Sequence, residues 1–438
     1  MMFFNMLSRN SNKRVCVMLF LSCFCAIATN CSAELIVDRN YITALTRTPH
    51  LLSEPITTFT KNVYHALSED PGNKATNIIA SPLSIHSALS MLYYGSPKNS
   101  STNSELASVL ALDVNPSSFQ NSKYHFLSLF RYYKRSGKLH NAVVNFANRI
   151  YLQQGFNAKK RFINLLKSYF FTSADVVDFA DSFDAAGRIN QFVNEKTNGL
   201  ISKIITPDNI DALTRLVLIN AIYFKAGWKY QFDPEDTLEM QFTLLDGTNI
   251  KHEKGMVGEA NLRYGRSTKL NASILELPYT NPDLNMYIMM PENNDLESLD
   301  TLATTFDIHD IQNNLKYSTD GNLNVLLPAF KSSFQANMNE VLQKLGAASM
   351  FHEGDADFSL ISKEDLFVGD VLHKAMINVD EKGSEAAAAT GIGIGVRGYP
   401  NEQSQYFRVN RPFIYAIYDS RNEMPLFIGR MLNPSTNE

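Results

Sequence analysis

His252-Glu253 and His352-Glu353 begin like the zinc helix of a metalloprotease, in which a second His one turn later completes the metal site and Glu serves as base. Neither pair is followed by that His. Gly393, Gly395 and Gly398 have the spacing of a dinucleotide cradle, where a helix must start under the pyrophosphate. Pro400 and polar residues follow instead, and only 40 residues remain after Gly398, with no βαβ context. A Gly-x-Ser-x-Gly nucleophile elbow is absent, and the nine His show no metal-ligand spacing. Cys16, Cys23, Cys25 and Cys31 all lie within the first 33 residues, so the remainder has no thiol nucleophile and no cysteine-ligated metal. No catalytic residues, cofactor site or metal site can be assembled from these patterns, and the expectation is a protein that is not an enzyme.

The segment from Glu381 to Arg397 has a different kind of potential. It reads Glu381-Lys-Gly383-Ser384-Glu385-Ala386-Ala387-Ala388-Ala389-Thr390, then Gly391-Ile-Gly393-Ile-Gly395-Val-Arg397. Three glycines disfavour a helix by about 1 kcal/mol each. With period two, Ser384, Ala386, Ala388, Thr390, Ile392, Ile394 and Val396 share one face. Glu385, Ala387, Ala389 and the glycines share the other. Such a segment could enter a crowded sheet as a strand buried on one face. Without further context it would be a flexible Ala/Gly loop.

The elements that would position it run along one continuous globular pattern without repeats or linkers. Ser81 caps a helix that opens on Pro82, with Ile85, Leu89 and Leu92 as its apolar stripe. Helical spacing of Ile189, Phe192, Val193 and Thr197 predicts a helical stretch over 183–205. Leu216 to Phe224 is apolar except for Asn220 and predicts a buried strand. Met286–Met290 and Asn324–Leu327, each ended by Pro, predict two more strands. Met338 to Leu345 predicts a helix stopped by Gly346. Helices early and strands late indicate an α+β fold rather than alternating βαβ units.

Arg9, Lys13 and Arg14, the apolar run Val15–Ala28 and the small residues Cys31-Ser32-Ala33 have the form of a secretory leader. That run of 14 residues is too short to span a bilayer, which takes roughly 20. The expected organisation is a signal peptide over 1–33 and one domain over 34–438, secreted and extracellular, with no membrane span. Removing the leader's three basic residues leaves 37 Lys and Arg against 44 acidic side chains, a net of −7. That balance excludes a dedicated nucleic-acid binder. Sequons at Asn99 and Asn271 suit a secreted glycoprotein. Arg131, Lys134, Arg135 and Lys138 form a short basic run, ordinarily a solvated face or turn.

Across the chain, a series of motifs stands in the order found in one family. They are Asn77-Ile-Ile-Ala-Ser81-Pro-Leu-Ser84, Ile189-Asn-Gln-Phe192-Val-Asn-Glu-Lys-Thr197-Asn-Gly199, and Asn220-Ala-Ile-Tyr-Phe-Lys-Ala-Gly-Trp228. Leu275-Glu-Leu-Pro-Tyr279, Leu327-Pro-Ala-Phe-Lys331, Ala356-Asp-Phe-Ser359, His373-Lys-Ala, Arg411-Pro-Phe413 and Leu426-Phe-Ile-Gly-Arg430 follow. The chain resembles a serpin over essentially all of its mature length, with Phe192 where the family often has Trp.

The resemblance implies a single domain of three β-sheets and about nine helices, with an exposed reactive-centre loop at about 381–406. It implies a suicide substrate: a serine protease attacks the loop, and the cut loop inserts as a strand while the acyl-enzyme persists. The hinge would comprise Glu381, Gly383, Ser384, Glu385, Ala386, Ala387, Ala388, Ala389 and Thr390. Its small side chains suit fast insertion. The family count from Gly383 places the scissile bond at Arg397-Gly398, within one or two residues. Arg397 is also the only basic residue between Lys382 and Arg408. Trypsin-like proteases favour Arg there because a carboxylate sits at the base of their pocket; a bond at Tyr399 would favour chymotrypsin-like targets. Ser81, Ser84, Asn220 and His373, with Trp228 above them, match the polar shutter and breach of the sheet. A glycosaminoglycan is a possible partner of the basic run, and the expected state is a monomer. A non-inhibitory carrier, chaperone or storage protein is the alternative, and the hinge composition favours the inhibitor.

Overall fold

The computed structural model describes residues 52–112, 116–140, 142–317, 322–384, 392–394 and 405–436. Nine α-helices occur among them: α1 (Ser53–Ser68), α2 (Pro82–Gly95), α3 (Ser101–Val109), α4 (Pro116–Leu139), α5 (Lys160–Leu165), α6 (Ser182–Lys196), α7 (Leu296–Thr305), α8 (Ile308–Asn314) and α9 (Asn339–Lys344). Three large sheets of seven, six and four strands accompany them, with one additional two-stranded ribbon. This is the α+β architecture expected from the sequence.

The six-stranded sheet carries the candidate site. Its strands are β1 (Val143–Gln153), β2 (Ala174–Val177), β3 (Leu216–Gly227), β5 (Phe330–Asn337), β6 (Val368–Asp380) and the two-residue β7 (Gly383–Ser384). Tyr230–Phe232, β4, belongs to the two-stranded ribbon with Ile392–Ile394, β8. The sheet order is β5-β6-β7-β3-β1-β2, and β6 also pairs directly with β3. The seven-stranded sheet includes Ile78–Ala80, Phe413–Asp419 and Met424–Met431, and the four-stranded sheet ends on Gln405–Arg408.

β3 is apolar over most of its length, Asn220 and Lys225 excepted, because both of its faces are covered. Leu216, Leu218, Ile222 and Phe224 enter the large core on one side. Val217, Ile219 and Ala221 alternate with them and pack in a second core with Ile189, Phe192 and Val193 of α6. A half-exposed strand would instead alternate apolar with polar residues.

The helix expected over 183–205 stops at Lys196. Asn198 takes the left-handed conformation at φ 52° and Gly199 follows at φ 85°. The Gly199 N–H donates back to Asn194 O at 2.8 Å, closing the last turn. Ile201, Ile204 and Ile205 are buried in the same core without being helical, so their apolar spacing extended the expectation too far. The remaining expectations agree within a few residues. α2 starts at Pro82 with Ser81 as cap, and the strands occur at Leu284–Pro291 and Leu323–Pro328.

Candidate functional site

The site is the seam between β3 and β6. Along its lower part the two strands run parallel and pair directly, from Val368↔Leu216 to Ala375↔Ile222. Higher up they part, and Gly383–Ser384 fills the opening. Gly383 pairs with Gly227 on one side and Asp380 on the other; Ser384 pairs with Ala226 and Val379. The chain therefore turns at the top of β6 and starts down the seam between its two walls.

Glycine at 383 is demanded by this approach. A Cβ there would lie 2.2 Å from Ala226 O and 2.7 Å from Gly227 Cα, both backbone atoms with little room to yield. The preceding turn is shaped by Asp380, whose Oδ1 accepts from the Lys382 N–H at 2.9 Å and the Gly383 N–H at 3.1 Å. Partial burial raises the Asp380 pKa against these favourable bonds. Glu381 is tied down twice: its Oε1 accepts from the Thr237 hydroxyl at 2.9 Å, and its carbonyl accepts from the Phe232 N–H at 2.9 Å.

Trp228 and Tyr279 close the top of the seam. Their rings stack with centroids 4.5 Å apart, and both are buried. The Trp228 indole N–H donates to Asp380 O at 2.9 Å. The Tyr279 hydroxyl and Ser384 Oγ share a hydrogen bond of 2.7 Å. Burial raises the Tyr279 pKa, so the phenol stays neutral where it meets Ser384.

Ser81, Ser84, Asn220 and His373 converge lower down, where the strands pair directly. Asn220 is the hub. Its Nδ2 donates to Ser84 Oγ at 2.6 Å and Asn148 Oδ1 at 2.5 Å, and its Oδ1 lies 2.5 Å from His373 Nδ1. His373 Nε2 accepts from the Ser81 N–H at 3.4 Å, and Ser81 Oγ donates to Leu426 O at 2.7 Å. His373 is fully buried and opposite Asn220 in register, and burial pushes its pKa down to about 3. The imidazole is thus neutral, with Nδ1 the donor and Nε2 the acceptor. The network links both strands of the seam to the start of α2, so separating the strands must rearrange it.

Trp228 does not join this cluster. It lies beyond the end of β3, eight residues from Asn220, and forms the upper site with Tyr279. Sequence reasoning missed two contributors. Asn148 on β1 bonds both Asn220 and Ser84 and donates to Ser87 Oγ at 2.7 Å. Tyr279 was present only as a motif letter. The available signal for Asn148 was a polar residue within a strand whose neighbours Ala147 and Ile150 are buried.

Glu385, Ala386, Ala387, Ala388, Ala389, Thr390, Arg397 and Gly398 lie outside the described residues, as does the proposed leader. Asn99 and Asn271 are both exposed, Asn271 in a turn at φ 46°. Arg131, Lys134, Arg135 and Lys138 belong to α4, not to a turn, and all four are exposed. Their spacing of three, one and three places them on one helix face. Phe192 keeps the packing expected of the family's aromatic: Arg149 Cζ lies 3.7 Å from its ring centroid, and Tyr151 meets it edge-on at 6.5 Å.

The site is thus a sheet seam with Gly383–Ser384 paired between two strands and a buried polar cluster beneath it. The family model for serpins, serine protease inhibitors, matches residues 54–434. Leukocyte elastase inhibitor A of Rattus norvegicus is 32% identical over 390 residues, covering 87% of this chain and 99% of the relative. The crystal structure of Serpin48 from the insect Tenebrio molitor, described as a highly specific serpin, superposes with a TM-score of 0.74 at 28% identity, covering 87% and 98%. Thyroxine-binding globulin in complex with thyroxine matches at 0.77 and 23% identity, covering 89% and 100%, a likeness of fold alone. The chain belongs to the serpin family.

Proposed function

We propose that the protein is a secreted inhibitor of trypsin-like serine proteases, consumed in the act of trapping them. The observation that carries this reading is Gly383–Ser384, hydrogen-bonded between two strands that pair directly below. Strand insertion is already begun at the hinge, and its continuation needs only that β3 and β6 separate. The bond attacked is Arg397-Gly398, with Arg397 entering the protease pocket and Glu385 to Thr390 following Ser384 into the seam. The fourteen residues from Ser384 to Arg397 span roughly 45 Å as a strand, enough to carry an acylated protease far from its starting place. Hydrolysis competes with that movement, so the small hinge side chains act on the rate that decides the outcome.

Incubation with trypsin and a denaturing gel test the proposal. A covalent complex is expected, and Arg397→Ala should abolish it while leaving thermal stability unchanged within about 0.5 kcal/mol. Quantitative cleavage without complex would make the chain a substrate and a non-inhibitory serpin. Secretion rests on the leader pattern and on two exposed sequons. The basic face of α4 supports a sulfated polyanion as a further partner; heparin–agarose retention lost on replacing Arg131 and Lys134 by Ala would test it.

A further inference from the structure

β8 lies in parallel register with β4: Ile392↔Tyr230, Gly393↔Gln231 and Ile394↔Phe232. β4 also holds the hinge turn, because the Phe232 N–H donates to Glu381 O at 2.9 Å. The Trp228 N–H, just before it, donates to Lys382 O at 3.0 Å. One short strand therefore grips the chain both before and after residues 385–391. The Phe232 N–H is committed to Glu381, so strand alternation turns the Gln231 N–H and C=O toward β8.

We propose that Tyr230–Phe232 is a docking strand that holds the reactive loop on the body of the uncut protein, with Gln231 as its positioning residue. This rests on the inhibitor reading above. Docking and insertion exclude each other. Ser384 pairs antiparallel with Ala226, so continuing that register down the seam puts Ile392 opposite Leu218 and Ile394 opposite Leu216. That is eight residues, or roughly 26 Å, below Ala226. The docked partner lies beyond the other end of β3. The same three loop residues thus have two alternative strand partners, at opposite ends of one strand. Occupancy of the docked pairing reduces the population able to insert before cleavage by the fraction it holds. An isolated two-stranded ribbon is marginal, so the dock is reversible and can release a cut loop. It also keeps Ile392–Ile394 extended, the conformation in which a protease reads a loop by strand addition.

Hydrogen exchange on the full chain, read by mass spectrometry, tests the dock without using inhibition. The Ile394 amide, the loop donor to the Gln231 carbonyl in this register, should exchange about tenfold or more slower than the unstructured rate, the ratio that two net backbone hydrogen bonds support. Gln231→Pro removes the donor on the body side and should abolish that protection. It should also shorten, by a similar factor, the time for which uncut protein keeps its ability to complex trypsin at 37 °C. Ile394→Pro removes the loop-side donor and, if Gln231→Pro fails to fold, must instead release the protection of the Gln231 amide on β4. Unprotected amides in the wild type, or protection unchanged in either variant, would overturn the docking strand. Cleavage without a complex in wild type would instead overturn the inhibitor reading, leaving the exchange result to stand on its own.

Discussion

On the inhibitor reading proposed above, replacing Gly383 by Ala should turn a trap into a substrate while leaving the core folded. The added Cβ would sit 2.2 Å from Ala226 O, 2.7 Å from Gly227 Cα and 3.1 Å from Ala226 C. All three are backbone atoms of β3, so relief requires Gly383–Ser384 to withdraw from the seam. Withdrawal breaks ladder pairs to β3 and to β6 and removes the Ser384–Tyr279 hydrogen bond. Three to four net hydrogen bonds at about 1 kcal/mol each give roughly 3–4 kcal/mol. At 1.4 kcal/mol per decade these bonds hold the wild-type hinge docked by more than a hundredfold, a preference that the backbone clash in the variant must reverse. The sole tryptophan reports the change directly. Trp228 is 1% exposed, stacked on Tyr279 and bonded to Asp380 O, within the turn that must move. Its emission should shift to longer wavelength in Gly383→Ala without loss of the far-UV circular dichroism spectrum. On a denaturing gel, trypsin should cut the variant without forming a complex, because the same clash recurs in the fully inserted strand. Unchanged Trp228 emission together with a normal complex would refute the argument that the seam is too narrow for a side chain at this position.

Asn220→Ala should destabilise the protein by about 2–4 kcal/mol, read as a lower urea midpoint, since it leaves His373, Ser84 and Asn148 short of partners in a buried network; an unchanged midpoint would remove the shutter role. Acid should weaken the fold through three buried imidazoles: burial lowers His86 and His125 to about 4 and His373 to about 3, all below the ordinary 6.5. The unfolded chain takes up these protons first, so their contribution is complete above pH 6.5 and is lost as pH falls toward 4, at up to about 4 kcal/mol per pH unit for three groups. Urea midpoints at pH 7 and pH 5 measure it, and a flat profile would contradict neutral burial. Ala388→Arg should leave cleavage by trypsin intact but abolish trapping, because burying an unpaired guanidinium costs several kcal/mol; unchanged trapping stoichiometry would disprove the inward placement of position 388.

Tyr279→Phe removes one hydroxyl without changing the stack on Trp228. It should loosen the hinge by about 1–2 kcal/mol, seen as faster exchange of the Ser384 amide and a smaller Trp228 shift than in Gly383→Ala.

Local physics carried much of the fold into readable sequence. Ser81-Pro82 announces a helix start because a side-chain cap and a fixed φ act within a few residues. The run Leu216–Phe224, short and rich in β-branched and aromatic residues, announces a strand buried on both faces. Motif order along the chain indicated the family, which places Ser81, Ser84, Asn220 and His373 together. The end of α6 was less readable, since Ile201, Ile204 and Ile205 owe their burial to the core beneath the helix rather than to helical periodicity. Three features were decided only in three dimensions. Asn148 meets Asn220 across the β1–β3 pairing, a contact between residues 72 apart. Tyr279 reaches Ser384 across 105 residues. Gly383 is required because the backbone of β3 passes within contact distance, and nothing in its neighbours along the chain encodes that approach. Period and capping are properties of a few consecutive residues. The width of a seam is set by which strands the whole fold brings together.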